Sequence, residues 1–560
     1  MDAKAPRSDS PYAKWTRESL LAHIKSLEEE LQKNQLALPP LPSLARPEGL
    51  AKKKKNKAEA DGTPGAGEDG QKPAKKAKVV KDIDPSKYNS RYIALKFAYQ
   101  GKRYGGFEYQ ESQELPTIED ELWKALTRTR LIYPKDANVV DFDCCEYSKC
   151  GRTDRGVSAF GQVVTLRVRS NRPLPKPEGS AGGVTEAMEV DSTEKAPEKE
   201  WDPIRDEIRY CSVLNRVLPP DIRILAWYPD PPADFVARFS CRERQYRYFF
   251  TQPAYAPIPG PLQNSQSSNG WLDIDRMRNA AKHFQGSHDF RNFCKADPSK
   301  LRTNYTRTMF EVDVVEVPEA STDLAAYMQS EVLKPEAGPV KSEGLEMNPR
   351  GTKVYYFSVK GSAFLWHQIR CMVYVLFLVG QGLEEPSVIL DLLDVEKTPA
   401  RPAYPMADDV PLVLWDCIFP VEGDAERRDA VPWVWADADE QSALGFSRNG
   451  NIEALWSEWR GKKMDEMLAA QLLLMVSKQG QTPKILESKE RAVAILGDKT
   501  LPPRIFEGGN ASFFGPRKYI PLEKLKKGIP VDEANDAYAR KNGYKDAQEM
   551  RLKRGYREAE

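Results

Sequence analysis

Gly151-Arg152-Thr153-Asp154-Arg155-Gly156-Val157-Ser158-Ala159 is a polar turn between two glycines, and it leads into an apolar strand pattern at Val164, Leu166 and Val168. Upstream, Ile93, Leu95, Phe97 and Tyr99 alternate with small or polar residues as a half-buried strand does, and a glycine-rich turn, 101–106, follows. Thr117 then stands where a helix cap is needed, before Ile118, Leu122 and Leu126 on one helical face. The order is strand, helix, strand, with a helix expected near 208–217 and a strand over 222–227.

A second round of similar order follows. Arg244 to Phe250 has strand alternation, Asp273 caps a helix, 310–317 and 354–359 alternate again, and Leu365 to Val379 reads as an apolar helix. Two successive halves of this kind predict a duplicated α+β unit with one joint sheet and a substrate cleft between the halves. The boundaries expected are an amphipathic helix within 1–38, a disordered basic linker over 39–88, a first half over 89–235 with a disordered insertion at 171–203, a second half over 236–421 with an insertion at 318–350, and a helical extension with a charged tail over 422–560. In that extension Met464, Met467, Leu468, Leu472 and Met475 share a helical face, for which core packing is the expected use.

Bulk properties narrow the function. The chain has 560 residues and a net charge of +1, so binding of a polyanion must come from clustered Lys and Arg and not from a global field. Its eight cysteines lack paired C-x-x-C spacing, which points to reduced thiols and away from structural zinc. The apolar run 364–379 is interrupted by His367, Gln368 and Arg370 and is shorter than the roughly 20 residues of a bilayer span, so no membrane role is expected. Lysine runs such as Lys52 to Lys55 suit nuclear import or a solubilising tail.

Four dispersed blocks carry a family resemblance. The 151–159 turn resembles the signature loop of the TruA family of tRNA pseudouridine synthases; Tyr99 to Phe107 resembles that family's first motif, Ala237 to Tyr248 its second region, and Gly361 to Val373 its third. Gly286 to Cys294 resembles the eukaryotic branch that modifies positions 38 and 39 of the anticodon stem-loop, and Phe107 stands where bacterial members usually carry tryptophan. The resemblance implies a pseudouridine synthase fold of two ferredoxin-like, RRM-like halves sharing one mostly antiparallel sheet, with flanking helices and a central RNA-binding cleft. It implies tRNA as partner, no cofactor, and location in nucleus and cytoplasm; bacterial relatives form homodimers, with which the amphipathic N-terminal segment is compatible.

By the same resemblance Asp154 is the catalytic carboxylate, acting as nucleophile or as base, Tyr246 stacks on the uracil, and Arg152 helps extrude the nucleotide. Alone, the aspartate reads as an ordinary turn former, the tyrosine as core and the arginine as surface charge. Pseudouridine formation must break a C1′–N1 bond, turn the base and rejoin it through C5, so the base leaves its stack. Stacking worth about 1–3 kcal/mol offsets much of that cost. Either role needs Asp154 ionised within a cleft, and Arg370 is the expected partner cation, because it lies in helical line with Trp366, Val373 and Phe377, an otherwise apolar row. Arg155, Arg238, Arg242 and Arg244 are candidate phosphate contacts. His288 and His367 lack clustered ligands and read as hydrogen-bonding scaffold, so no metal site is expected. Two competing functions are a synthase for other tRNA positions and a non-catalytic tRNA-binding or folding factor.

Overall fold

The computed structural model describes residues 84–111, 114–174, 201–255, 270–318, 353–421, 423–424, 427–436, 450–477, 490, 505–509 and 519–555. The helix expected within 1–38, nearly all of the 39–88 linker and most of both insertions lie outside the described residues.

Among the described residues ten strands form one sheet: β1 (Asn89–Tyr99), β2 (Ser148–Lys149), β3 (Ser158–Ser170), β4 (Ile222–Tyr228), β5 (Glu243–Gln252), β6 (Gly286–Asp289), β7 (Thr306–Glu316), β8 (Lys353–Gly361), β9 (Leu412–Ile418) and β10 (Val434–Trp435). Their order is β10-β4-β1-β3-β9-β5-β8-β7-β6, with β2 beside β3. Every pairing is antiparallel except the short parallel contact of β3 with β9, Ser158 against Val413 and Ala159 against Leu414. The predicted mostly antiparallel joint sheet is therefore observed. β9 is the seam: it is the last strand of the second half in sequence yet lies between β3 of the first half and β5 of the second.

Local sequence explains the covering helices. Thr117 accepts from the Asp120 amide and caps Ile118–Arg128, which buries Ile118, Leu122, Trp123 and Leu126. Asp273 accepts from the Arg276 amide and caps Ile274–Ala281. The helix Gln368–Gly380 is buried along its whole length, which is why its sequence is apolar on every side. Among the described residues no helix is long and apolar enough to cross a membrane.

The other face of the sheet is covered near β1 by the segment 427–436. Lys96 is buried there, 2.7 Å from Asp416 and 3.6 Å from Asp429, with its ammonium over the Trp433 ring. A buried lysine needs such partners. One expectation fails in the extension. Met464, Met467, Leu468, Leu472 and Met475 lie on the helix Asn451–Ser477, but all are exposed, Leu468 by 64%. Helical spacing aligns a face; it does not supply an element to cover it.

Candidate active site

The 151–157 loop leaves β2 and crosses to β3, and the glycine turn after β1 grips it. The Phe107 amide donates to the Thr153 carbonyl at 3.1 Å, the Gly156 amide to the Tyr104 carbonyl at 3.4 Å, and the Tyr99 and Thr153 hydroxyls share a buried 2.7 Å hydrogen bond. Gly156 has φ +80°, and a Cβ there would lie 2.4 Å from Oδ1 of Asp409. Gly106, at φ +119°, backs directly onto the Thr153 carbonyl and the Arg155 amide. Two sequence blocks 50 residues apart thus form one rigid unit, as a preorganised site requires.

Asp154 emerges from that unit with its side chain 36% exposed. Trp366 Nε1 donates to its Oδ1 at 3.2 Å, and His367 Nε2 stands 3.4 Å from its Oδ2. Both partners precede the helix Gln368–Gly380, so the first half of the sheet supplies the carboxylate and the second half its indole donor and the neighbouring imidazole. His367 occupies the left-handed region at φ +62°, uncommon for a residue with a side chain and frequent where function holds a backbone in place. Burial keeps the His367 pKa below its ordinary 6.5 despite the opposing pull of Asp154. The ring is neutral at pH 7. Trp366 is itself 45% exposed, with the Lys295 ammonium 4.6 Å from its ring centre.

Arg370 is not the counter-ion of Asp154. Its Nε donates to the Ala407 carbonyl at 2.7 Å and its Nη2 lies 3.7 Å from Asp409 Oδ2. The expectation failed because the helix begins at Gln368, not at Leu365, so Trp366 and Arg370 do not share a helical row. The Arg370–Asp409 pair instead sits behind Gly156 and braces the loop from below.

Arg244 likewise departs from its expected role as a phosphate contact. Its guanidinium donates to three carbonyls, those of Ser362 at 2.8 Å, Cys150 at 3.0 Å and Arg238 at 3.1 Å. It is a clamp inside the protein. Arg155, Arg238 and Arg242 are exposed and remain available to a polyanion. Arg152 is also exposed and pairs with Glu108 at 3.0 Å.

Tyr246 lies on β5 between Leu414 of β9 and Val359 of β8, immediately after an irregularity in the β5–β9 ladder at Gln245. Such irregularities re-aim side chains near active sites. Its ring, 9% exposed, meets Phe364 edge-on at 5.1 Å, and burial pushes its hydroxyl pKa well up. His288 Nε2 hydrogen-bonds the Gln285 carbonyl at 2.8 Å, as scaffold.

A partly exposed carboxylate on a rigid loop, facing side chains from the other half of one α+β sheet, is an arrangement that acid–base or nucleophilic chemistry can use. Residues 280–420 match a family model described as tRNA pseudouridine synthase. The tRNA pseudouridine(38/39) synthase of Homo sapiens is 36% identical over 440 residues, covering 79% of this chain and 71% of that protein. Its namesake in Saccharomyces cerevisiae is 36% identical over 449 residues, 80% of this chain and 78% of the other. The tRNA pseudouridine synthase A of Methanosarcina mazei is 27% identical over 304 residues, covering 54% of this chain and 76% of that protein. The chain belongs to the TruA family of tRNA pseudouridine synthases, isomerases whose substrate is tRNA.

Proposed function

We propose that this enzyme converts uridine to pseudouridine at positions 38 and 39 of the tRNA anticodon stem-loop, with Asp154 as the catalytic carboxylate. The observation that carries the proposal is the Asp154 side chain, open to solvent on one side and held by Trp366 and His367 on the other. The relatives named for positions 38 and 39 support the choice of substrate.

The reaction is an isomerisation: the C1′–N1 bond breaks, a C1′–C5 bond forms, and the proton lost from C5 is matched by one gained at N1. As nucleophile, an Asp154 oxygen bonds C1′ and is displaced when C5 attacks; as base, it takes a sugar proton and returns it. One carboxylate serves either route. Tyr246 supplies the aromatic face for the extruded uracil, and Arg152, mobile enough at its exposure to leave Glu108, fills the vacated stack. Arg155, Arg238 and Arg242, with Lys295 beside Trp366, position the phosphates.

The lysine-rich segment before residue 84 suits a protein shared between nucleus and cytoplasm, and the amphipathic segment before it suits a homodimer. Pseudouridine mapping across total tRNA from a deletion strain tests the substrate. Loss at 38 and 39 alone is expected; retention there with loss elsewhere contradicts the assignment.

A further inference from the structure

Cys150, Cys241 and Cys417 come from three distant parts of the chain: the end of the β2 region, the turn into β5, and β9. Their sulfur atoms nonetheless all lie within 4.8 Å of one another, and all three residues are buried. No histidine or carboxylate among the described residues joins them in the cluster. Spacing within the sequence could not reveal this group, since C-x-x-C logic detects only ligands that share a loop.

A second observation points to the same place. The Arg244 guanidinium is bound to three neutral carbonyls, including that of Cys150, and no carboxylate among the described residues lies within 4.0 Å of it. A largely buried arginine requires a counter-charge. The guanidinium is tied to the cluster through its 3.0 Å hydrogen bond to the Cys150 carbonyl.

We propose that Cys150, Cys241 and Cys417 form a binding site for a soft, thiophilic metal ion, with Arg244 as the outer counter-ion. On binding, the three thiols release their protons to solvent and coordinate as thiolates. A divalent ion with three thiolates has a net charge of −1, which the guanidinium balances. An all-sulfur, three-ligand set excludes hard cations such as Mg²⁺ and Ca²⁺ and selects Zn²⁺, Cu⁺ or Cd²⁺. The role is structural. Cys150 is the residue before the Asp154 loop, Cys241 precedes the Tyr246 strand, and Cys417 lies on the seam strand, so one ion ties together the parts that must keep register across the two halves.

The test uses the full chain purified without chelator. Elemental analysis by mass spectrometry is expected to find about one zinc or copper ion per chain, the element found distinguishing the two, or uptake of about one added Cd²⁺ with a thiolate-to-cadmium absorption band. X-ray absorption on the loaded wild-type protein is expected to give three sulfur neighbours, for zinc at about 2.3 Å. Cys417→Ser and Cys241→Ser should each abolish binding, whereas Cys144→Ser, at an exposed position, should not. The proposal is overturned if the wild-type chain neither retains metal nor takes up Cd²⁺, if X-ray absorption finds fewer than three sulfurs, or if the band survives either buried substitution. The wild-type measurements decide the matter even if a variant fails to fold.

Discussion

Trp366 donates its indole N–H to Oδ1 of Asp154 at 3.2 Å, joining a residue of the second half of the sheet to one 212 positions earlier in the first. With the His367 imidazole 3.4 Å from the other oxygen, the carboxylate is directed by one donor and one neighbouring ring that both belong to the opposite half. Its orientation therefore depends on the docking of the two halves along β9.

Trp366→Phe tests that dependence. It keeps an aromatic ring for Lys295 and removes only the donor. A hydrogen bond to a charged acceptor contributes about 1.5–3 kcal/mol, and exposure places this one at the low end. Single-turnover rates should fall about tenfold with tRNA affinity unchanged, as measured by pseudouridine formation and filter binding. An unchanged rate would mean that the indole does not orient the carboxylate.

The buried imidazole has a consequence for stability. Its folded pKa lies below the ordinary 6.5, so on acidification the unfolded chain takes up a proton that the folded chain resists. The contribution is whole above pH 6.5 and is lost as pH falls through the lower folded value. His367→Asn removes the titration and suits the left-handed backbone at φ +62°. Between neutral pH and about pH 5, the variant's melting temperature should fall less steeply than the wild type's; parallel curves would contradict the assignment.

Arginines in two different settings should separate by salt dependence. Arg155→Ala, Arg238→Ala and Arg242→Ala should each reduce the slope of log affinity for tRNA against log salt by up to about 1, with little change in folding stability. Arg244→Gln should leave that slope intact and lower the urea midpoint, because it releases three carbonyls, two of them partly buried. The reverse pattern for Arg244 would restore it as a phosphate contact.

Much of this architecture is legible in the chain because alternation and capping are local signals. Thr117 and Asp273 cap helices as their patterns predict, and Ile93 to Tyr99 forms the predicted strand, although Ala94 and Lys96 are buried as well, so both of its faces are covered and not one. β9 was missed because Leu412 to Ile418 is a short apolar run without alternation, and its place between β3, to which it is parallel, and β5, to which it is antiparallel, is set by tertiary packing. The partners of Asp154 were misassigned for a related reason. A helix boundary moved by three residues, from Leu365 to Gln368, takes Trp366 and His367 off the helix and turns Arg370 toward Asp409. A usable signal was present: two side chains able to donate, placed just before a helix with an almost entirely apolar interior. The exposed row from Met464 to Met475 shows the opposite failure, a clear pattern with no covering element among the described residues to give it meaning.

The most direct test of the catalytic assignment is Asp154→Asn, which preserves shape and removes only the charge and basicity of the carboxylate. Measured on anticodon stem-loop RNA, the variant should bind with unchanged Kd while pseudouridine formation falls by at least about a thousandfold. Product formed at a rate near that of the wild type would contradict the account, whatever the fate of the neighbouring residues.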